Sequence, residues 1–157
     1  MEKLEVIVGH MLAERKLKLA TAESCTGGLV GHRLTNVPGS SSYLEGGVIA
    51  YSYEAKERLL GVHHDTLYEH GAVSAETALE MARGARKALG ADIGIAVTGI
   101  AGPGGGLPGK PVGLVYIALS ARTVERVEHF RWDSDREGNK ELSAEAALAM
   151  LKEFLER

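Results

Sequence analysis

Three segments combine hydroxyl, amine and glycine residues in a way that could support chemistry. Pro38-Gly39-Ser40-Ser41-Ser42 is followed by Tyr51-Ser52-Tyr53-Glu54-Ala55-Lys56. A serine is a poor nucleophile near neutral pH unless a base takes its proton. A lysine becomes that base when burial or nearby positive charge lowers its pKa from about 10.4 towards 7. Lys56 has the apolar and aromatic neighbours Ile49, Tyr51, Tyr53 and Leu59. A triple serine also suits a solvated turn, and a lysine on a short helix a surface charge.

The second segment, Thr21-Ala22-Glu23-Ser24-Cys25-Thr26-Gly27-Gly28, reads as a strand end running into a helix start. Free N–H groups and the helix dipole make such a turn a seat for an anion, and Ser24 and Thr26 add hydroxyls that could equally cap the helix. The third, Thr98-Gly99-Ile100-Ala101-Gly102-Pro103-Gly104-Gly105-Gly106, follows a buried strand, where ligands of open α/β sheets collect. It lacks the Gly-Lys-Ser/Thr ending of a P-loop. Arg136, ahead of the last helix, could fork onto a phosphate or pair with Asp133 or Asp135. The six histidines form no metal pattern, His63 and His64 being adjacent, so metal is not expected.

Elements to carry these segments follow from periodicity. Residues 2–15 read as an amphipathic helix, 17–22 as a strand, and Thr26 to just before Pro38 as a helix. Val48–Tyr51 is a second strand, Glu54–Leu60 a helix ended by Gly61, and Leu67–His70 a further turn. Ser74 caps a helix reaching Leu89. Asp92–Thr98 is a buried strand, Pro111–Ser120 and Thr123–Trp132 a hairpin. Residues 137–156 form a last helix with an apolar stripe of Leu142, Ala146, Ala149, Met150 and Leu155. This order predicts an α/β fold, a three-layer α/β/α sandwich with a mixed central sheet, as one domain over 1–157.

Composition narrows the function classes. Hydrophobic residues make up 45% and charged residues 25%, the balance of a globular chain. Net charge is −3, from 18 basic and 21 acidic residues, with no run of like charge, which argues against nucleic acid as a partner. No apolar stretch reaches about 18 residues and the first fifteen are unlike a signal peptide, so neither membrane insertion nor secretion is expected. Cys25 is the one cysteine, in keeping with a reducing, cytoplasmic setting. Glycine, at 20 residues, exceeds its usual share of about 7% and gathers in the loops above.

Taken in order, these segments resemble the C-terminal domain of the CinA (competence/damage-inducible) family and its stand-alone nicotinamide-nucleotide amidases. The matching residues are Thr21 to Gly28, Gly39-Ser40-Ser41, Gly47 to Lys56, Gly71-Ala72-Val73-Ser74, Thr98 to Pro103, and Lys110-Pro111-Val112-Gly113. The resemblance implies hydrolysis of nicotinamide mononucleotide (NMN) to nicotinic acid mononucleotide and ammonia, in pyridine-nucleotide salvage, by a protein that self-associates as a dimer or higher. It suggests Ser41 as nucleophile and Lys56 as general base, with Tyr51, Ser24 and Thr98 orienting the pair or binding substrate and Arg136 holding the phosphate. Thr26, Gly27, Gly99 and Gly102 join the expected substrate-binding set, and no cofactor is required. Full-length relatives carry an N-terminal molybdopterin-binding-like domain, for which this chain is expected to have no room. Ser40, Ser42 and Ser24 stay open as alternative nucleophiles. Two other readings are a non-catalytic pyridine-nucleotide-binding module and a metal-dependent phosphohydrolase using Glu23 and Asp135.

Overall fold

In the computed structural model, which covers residues 1–157, five strands form one mixed sheet. They are β1 (Leu19–Glu23), β2 (Leu44–Ile49), β3 (Ile93–Gly99), β4 (Leu114–Ala121) and β5 (Glu125–Arg131), in the spatial order β2-β1-β3-β4-β5. β2, β1 and β3 run parallel, and β4 and β5 are antiparallel to their neighbours. Every residue of β1 is buried, and all of β3 but its last. Strands covered on both faces are largely apolar, as Leu19, Ala20 and Ala22 of β1 and Ile93 to Val97 of β3 are.

The two faces of the sheet differ in side-chain size, because alternate residues point to opposite sides. Leu19, Ile93, Ile95, Val97, Val115, Ile117 and Leu119 form one face, packed against α1 (Leu4–Arg15), α2 (Leu29–Thr35) and α6 (Arg136–Leu155). The other face presents Ala20, Ala22, Ala96 and Ala118 to α5 (Ala75–Ala88), beside α3 (Tyr53–Leu60) and α4 (His64–His70). Small residues let α5 sit close. A Cβ on Gly94 would lie 2.1 Å from the Ala82 carbonyl oxygen, and one on Gly84 would lie 1.8 Å from that of Leu60. No helix is long and apolar enough to cross a membrane.

The three-layer α/β/α expectation holds, and so does the Ser74 cap, whose Oγ accepts from Thr77 N at 3.1 Å. Several boundaries move. β2 starts at Leu44, because Gly46 and Gly47 pair with Ala20 and Thr21, and a Cβ on Gly47 would lie 2.1 Å from Thr21 Oγ1. A glycine pair inside a strand carries no alternation to read. α2 begins at Leu29, not Thr26, since Gly27 and Gly28 take positive φ of 58° and 106°. The extra turn at Leu67 is the end of α4. On α6 the expected stripe is rotated: Met150 and Leu155 are buried with Ala144, Ala147, Leu148 and Leu151, while Leu142 is 41% exposed. Polar residues take that inward line instead. Asn139 Nδ2 donates to the Ala101 carbonyl at 2.9 Å, and Ser143 Oγ accepts from Trp132 Nε1 at 2.9 Å. The first bond ties the glycine-rich loop after β3 to α6, and the second ties the end of β5 to it.

Candidate active site

β2, β1 and β3 end on the same side of the sheet, so the segments leaving them meet there. Ser24 follows β1 directly, and its N–H donates to the Val97 carbonyl of β3 at 2.9 Å. The chain then folds back over the carboxylate of Glu23, which is 2% exposed. Its Oε1 accepts from Thr26 Oγ1 at 2.6 Å, Gly28 N at 3.2 Å and Val30 N at 2.9 Å, and its Oε2 accepts from Gly31 N at 3.0 Å.

After β2 the chain keeps one more sheet bond, Ala50 N to the Glu23 carbonyl at 2.9 Å, and turns into α3. Ser52 Oγ caps this helix by accepting from Ala55 N at 3.0 Å. Lys56, one turn in, is 1% exposed. Its Nζ lies 3.0 Å from Ser24 Oγ and donates to the Ala50 carbonyl at 2.9 Å. No carboxylate pairs with it, and burial pushes its ammonium below the ordinary value of 10.5, against a smaller opposing influence of Cys25. Burial likewise pushes the Cys25 thiol up to about 12, so the sulfur beside Ser24 stays protonated and is no nucleophile at neutral pH.

Thr98, at the end of β3, donates through Oγ1 to the Ala72 carbonyl at 2.7 Å. This holds the Gly71–Ser74 turn against the strand. Arg136, at the start of α6, donates from NH1 to the Gly102 carbonyl at 2.7 Å and from NH2 to Tyr51 Oη at 2.9 Å. A cavity of about 220 Å³ results, with Ser24 and Lys56 in its wall and Tyr51, Thr98, Gly99, Gly102 and Arg136 also lining it. A larger open groove of about 1190 Å³ between α1, α2 and α6 contains no nucleophile paired with a base.

Ser24, Lys56, Tyr51, Thr98, Gly99, Gly102 and Arg136 therefore share one cavity. Thr26 and Gly27 do not line it: the Thr26 hydroxyl is committed to Glu23, and Gly27 lies on the outer side of the turn near Lys140 Nζ. The expected Ser41–Lys56 pair is not brought together within one chain. Ser40–Ser42 form a 3₁₀ turn ahead of β2, where Ser41 is exposed and the Ser42 carbonyl accepts from Lys18 Nζ. The length of β1, five residues at 3.3 Å each or about 16 Å, separates that turn from Lys56. Within the chain the serine beside Lys56 is Ser24. Tyr53 also lines the cavity and its Oη accepts from Ala72 N at 3.4 Å. It was signalled by spacing, standing three residues before Lys56 on the same helix face.

Glu23 and Asp135 are both spent on helix starts, Asp135 accepting from Gly138 N at 2.8 Å. A metal-dependent phosphohydrolase would need those carboxylates free. No group of three or more His, Cys, Asp or Glu side chains is placed to hold a metal ion.

Solved structures share this arrangement of strands and helices. A competence-damaged protein (CinA) superfamily protein from Klebsiella pneumoniae superposes with a TM-score of 0.94 at 38% identity, over 97% of this chain and 95% of the other. The competence/damage inducible protein of Agrobacterium tumefaciens gives 0.91 at 42% identity, over 98% and 94%. By sequence, a CinA-like protein of Syntrophus aciditrophicus is 53% identical over 156 residues, 98% of this chain and 37% of the relative. The chain thus spans a little over a third of the length of such curated relatives. The sequence profile of the CinA C-terminal domain matches residues 1–155. With the fold and nearly the whole length in agreement, the chain belongs to the CinA C-terminal domain family.

Proposed function

We propose that the chain hydrolyses the carboxamide of nicotinamide mononucleotide to nicotinic acid mononucleotide and ammonia, with Ser24 as nucleophile and Lys56 as general base. The observation that carries this reading is the buried Lys56 amine, 3.0 Å from Ser24 Oγ and without a carboxylate partner. Family membership and the Arg136 guanidinium in the cavity wall support the phosphorylated substrate.

A neutral amine has two hydrogens and a lone pair. One hydrogen keeps the bond to the Ala50 carbonyl, and the lone pair receives the Ser24 hydroxyl proton as Oγ attacks the carboxamide carbon. The tetrahedral oxyanion needs N–H donors. The amides of Cys25 and Thr26 donate to no backbone carbonyl, and they follow the nucleophile directly, where such donors are most effective. The new Lys56 ammonium passes its proton to the amide nitrogen, the C–N bond breaks, and ammonia leaves. Water then hydrolyses the acyl-serine by the same relay, restoring Ser24 and neutral Lys56. Every proton moves among Ser24, Lys56, substrate and water.

The test is ammonia and acid production from the mononucleotide by purified protein in the presence of a chelator. Ser24→Ala and Lys56→Ala should each reduce kcat by at least about 1000-fold, the double variant being little worse, while Ser41→Ala stays near wild type. A dead Ser41→Ala beside an active Ser24→Ala would return the nucleophile to Ser41 and overturn the pair. Tight mononucleotide binding with no ammonia would make the chain a nucleotide-binding module.

A further inference from the structure

Resting on the Ser24–Lys56 reading, we propose that Glu23 is the positioning residue of this site, its carboxylate holding the turn that carries the nucleophile and its oxyanion donors. An ordinary helix cap satisfies one or two N–H groups from the residue just before the helix. Glu23 does more, and from further away. It lies on β1, six positions before the first residue of α2, and gathers four donors spread from Thr26 to Gly31. It is 2% exposed and pairs with no lysine or arginine, so the donors of this one turn neutralise its demand for hydrogen bonds.

The same residue also fixes the base. Its backbone carbonyl accepts from Ala50 N at 2.9 Å, and the Ala50 carbonyl accepts from Lys56 Nζ at 2.9 Å. Ser24 is anchored to β3 through Val97 on one side. The remaining freedom of Cys25 to Gly28, two of whose residues are glycines at positive φ, is removed by the carboxylate. Gly31 belongs to the arrangement through its N–H, which donates to Glu23 Oε2 at 3.0 Å. Loss of the carboxylate leaves the substrate-facing residues Tyr51, Thr98 and Arg136 in place and loosens only the reacting end of the cavity.

Glu23→Gln keeps the shape of the side chain but turns one acceptor into a donor facing other donors. We expect kcat to fall about 100-fold, the cost of a displacement on the order of 1 Å at a reacting centre, with KM changed less than about twofold. Thr26→Val removes one of the four donors and keeps the volume, so it should give a smaller fall of the same kind, with Thr26→Ser restoring wild-type kcat. A substrate-independent measurement accompanies these: the rate at which a small fluorophosphonate labels Ser24, which should fall in parallel with kcat. Wild-type kcat and labelling rate in both Glu23→Gln and Thr26→Val, even with lowered melting temperatures, would show a merely structural carboxylate and overturn the proposal. Labelling of wild-type Ser24 without ammonia from the mononucleotide would instead sink the substrate assignment, while the labelling rates still decide the role of Glu23. A wild-type Ser24 that resists labelling overturns both.

Discussion

Lys56→Met should separate the pH dependence of stability in the variant from that of the wild type. In the unfolded chain this lysine titrates at its ordinary value of 10.5, and in the folded chain burial lowers that value. Between the two the unfolded state binds one proton more, so wild-type stability rises with pH across this window, by about 1.4 kcal/mol per pH unit. Below the folded pKa the ammonium is charged in both states and the cost of burying it is fully present. As pH climbs to 10.5 that cost is relieved. Methionine fills similar space and never titrates. It leaves the Ala50 carbonyl without its donor, at about 1–3 kcal/mol, but that loss is independent of pH and moves the level, not the slope. For a chain of this size about 1 kcal/mol corresponds to about 2–4 °C in Tm, so the wild type should gain about 3–6 °C per pH unit on the variant within the window. Thermal melts of both proteins from pH 6 to 10 give the answer. Parallel curves would mean that the amine is charged and hydrated in the folded protein, and the general-base argument would fail with them. The same titration should appear in catalysis, kcat/KM rising about tenfold per unit below the Lys56 pKa.

Two further substitutions test the cavity and its support. Arg136→Gln removes a guanidinium that also braces Gly102 and Tyr51; loss of a charge-assisted contact of about 1.5–3 kcal/mol should lower kcat/KM for the mononucleotide by about 10- to 150-fold. Activity on the corresponding nucleoside should change little, and an equal loss on both substrates would remove the phosphate from Arg136. Gly84→Ala would press a methyl group against the Leu60 carbonyl and should destabilise by about 1–3 kcal/mol, despite the better helix propensity of alanine. Because α3 carries both Leu60 and Lys56, kcat should fall with it, whereas a raised Tm in this variant would contradict the close packing of α5.

Much of the architecture could be read before folding because the strands that matter most are buried on both faces. Ile93–Val97 is an unbroken apolar run, and Ser74 announces its helix by its own chemistry. β2 was harder, since it is an edge strand with two glycines at its centre, and α6 misled because Asn139 and Ser143 hold inward positions through hydrogen bonds that hydrophobic periodicity does not register. Lys56 was legible by type, and the serine that stands beside it was not. Ser41 is nearer to Lys56 in sequence than Ser24, which is 32 residues away. Parallel pairing reverses that order: residues that follow β1 and β2 share one end of the sheet, and a residue that precedes β2 is carried to the other. Glu23 escaped notice as a structural element because nothing in its spacing distinguishes a carboxylate aimed at metal from one aimed at backbone amides.

Ser24 and Lys56, the pair proposed to react, sit beyond neighbouring parallel strands joined by a crossover that includes α2. A nascent or partly melted chain therefore has the hydroxyl and the amine but no geometry to couple them, and its lysine, in water, is fully protonated. Amide cleavage should thus be the last property to return on refolding, later than helix content or sheet formation. Recovery of ammonia release would then serve as a chemical clock for completion of the β1–β2 edge and seating of the helix behind it.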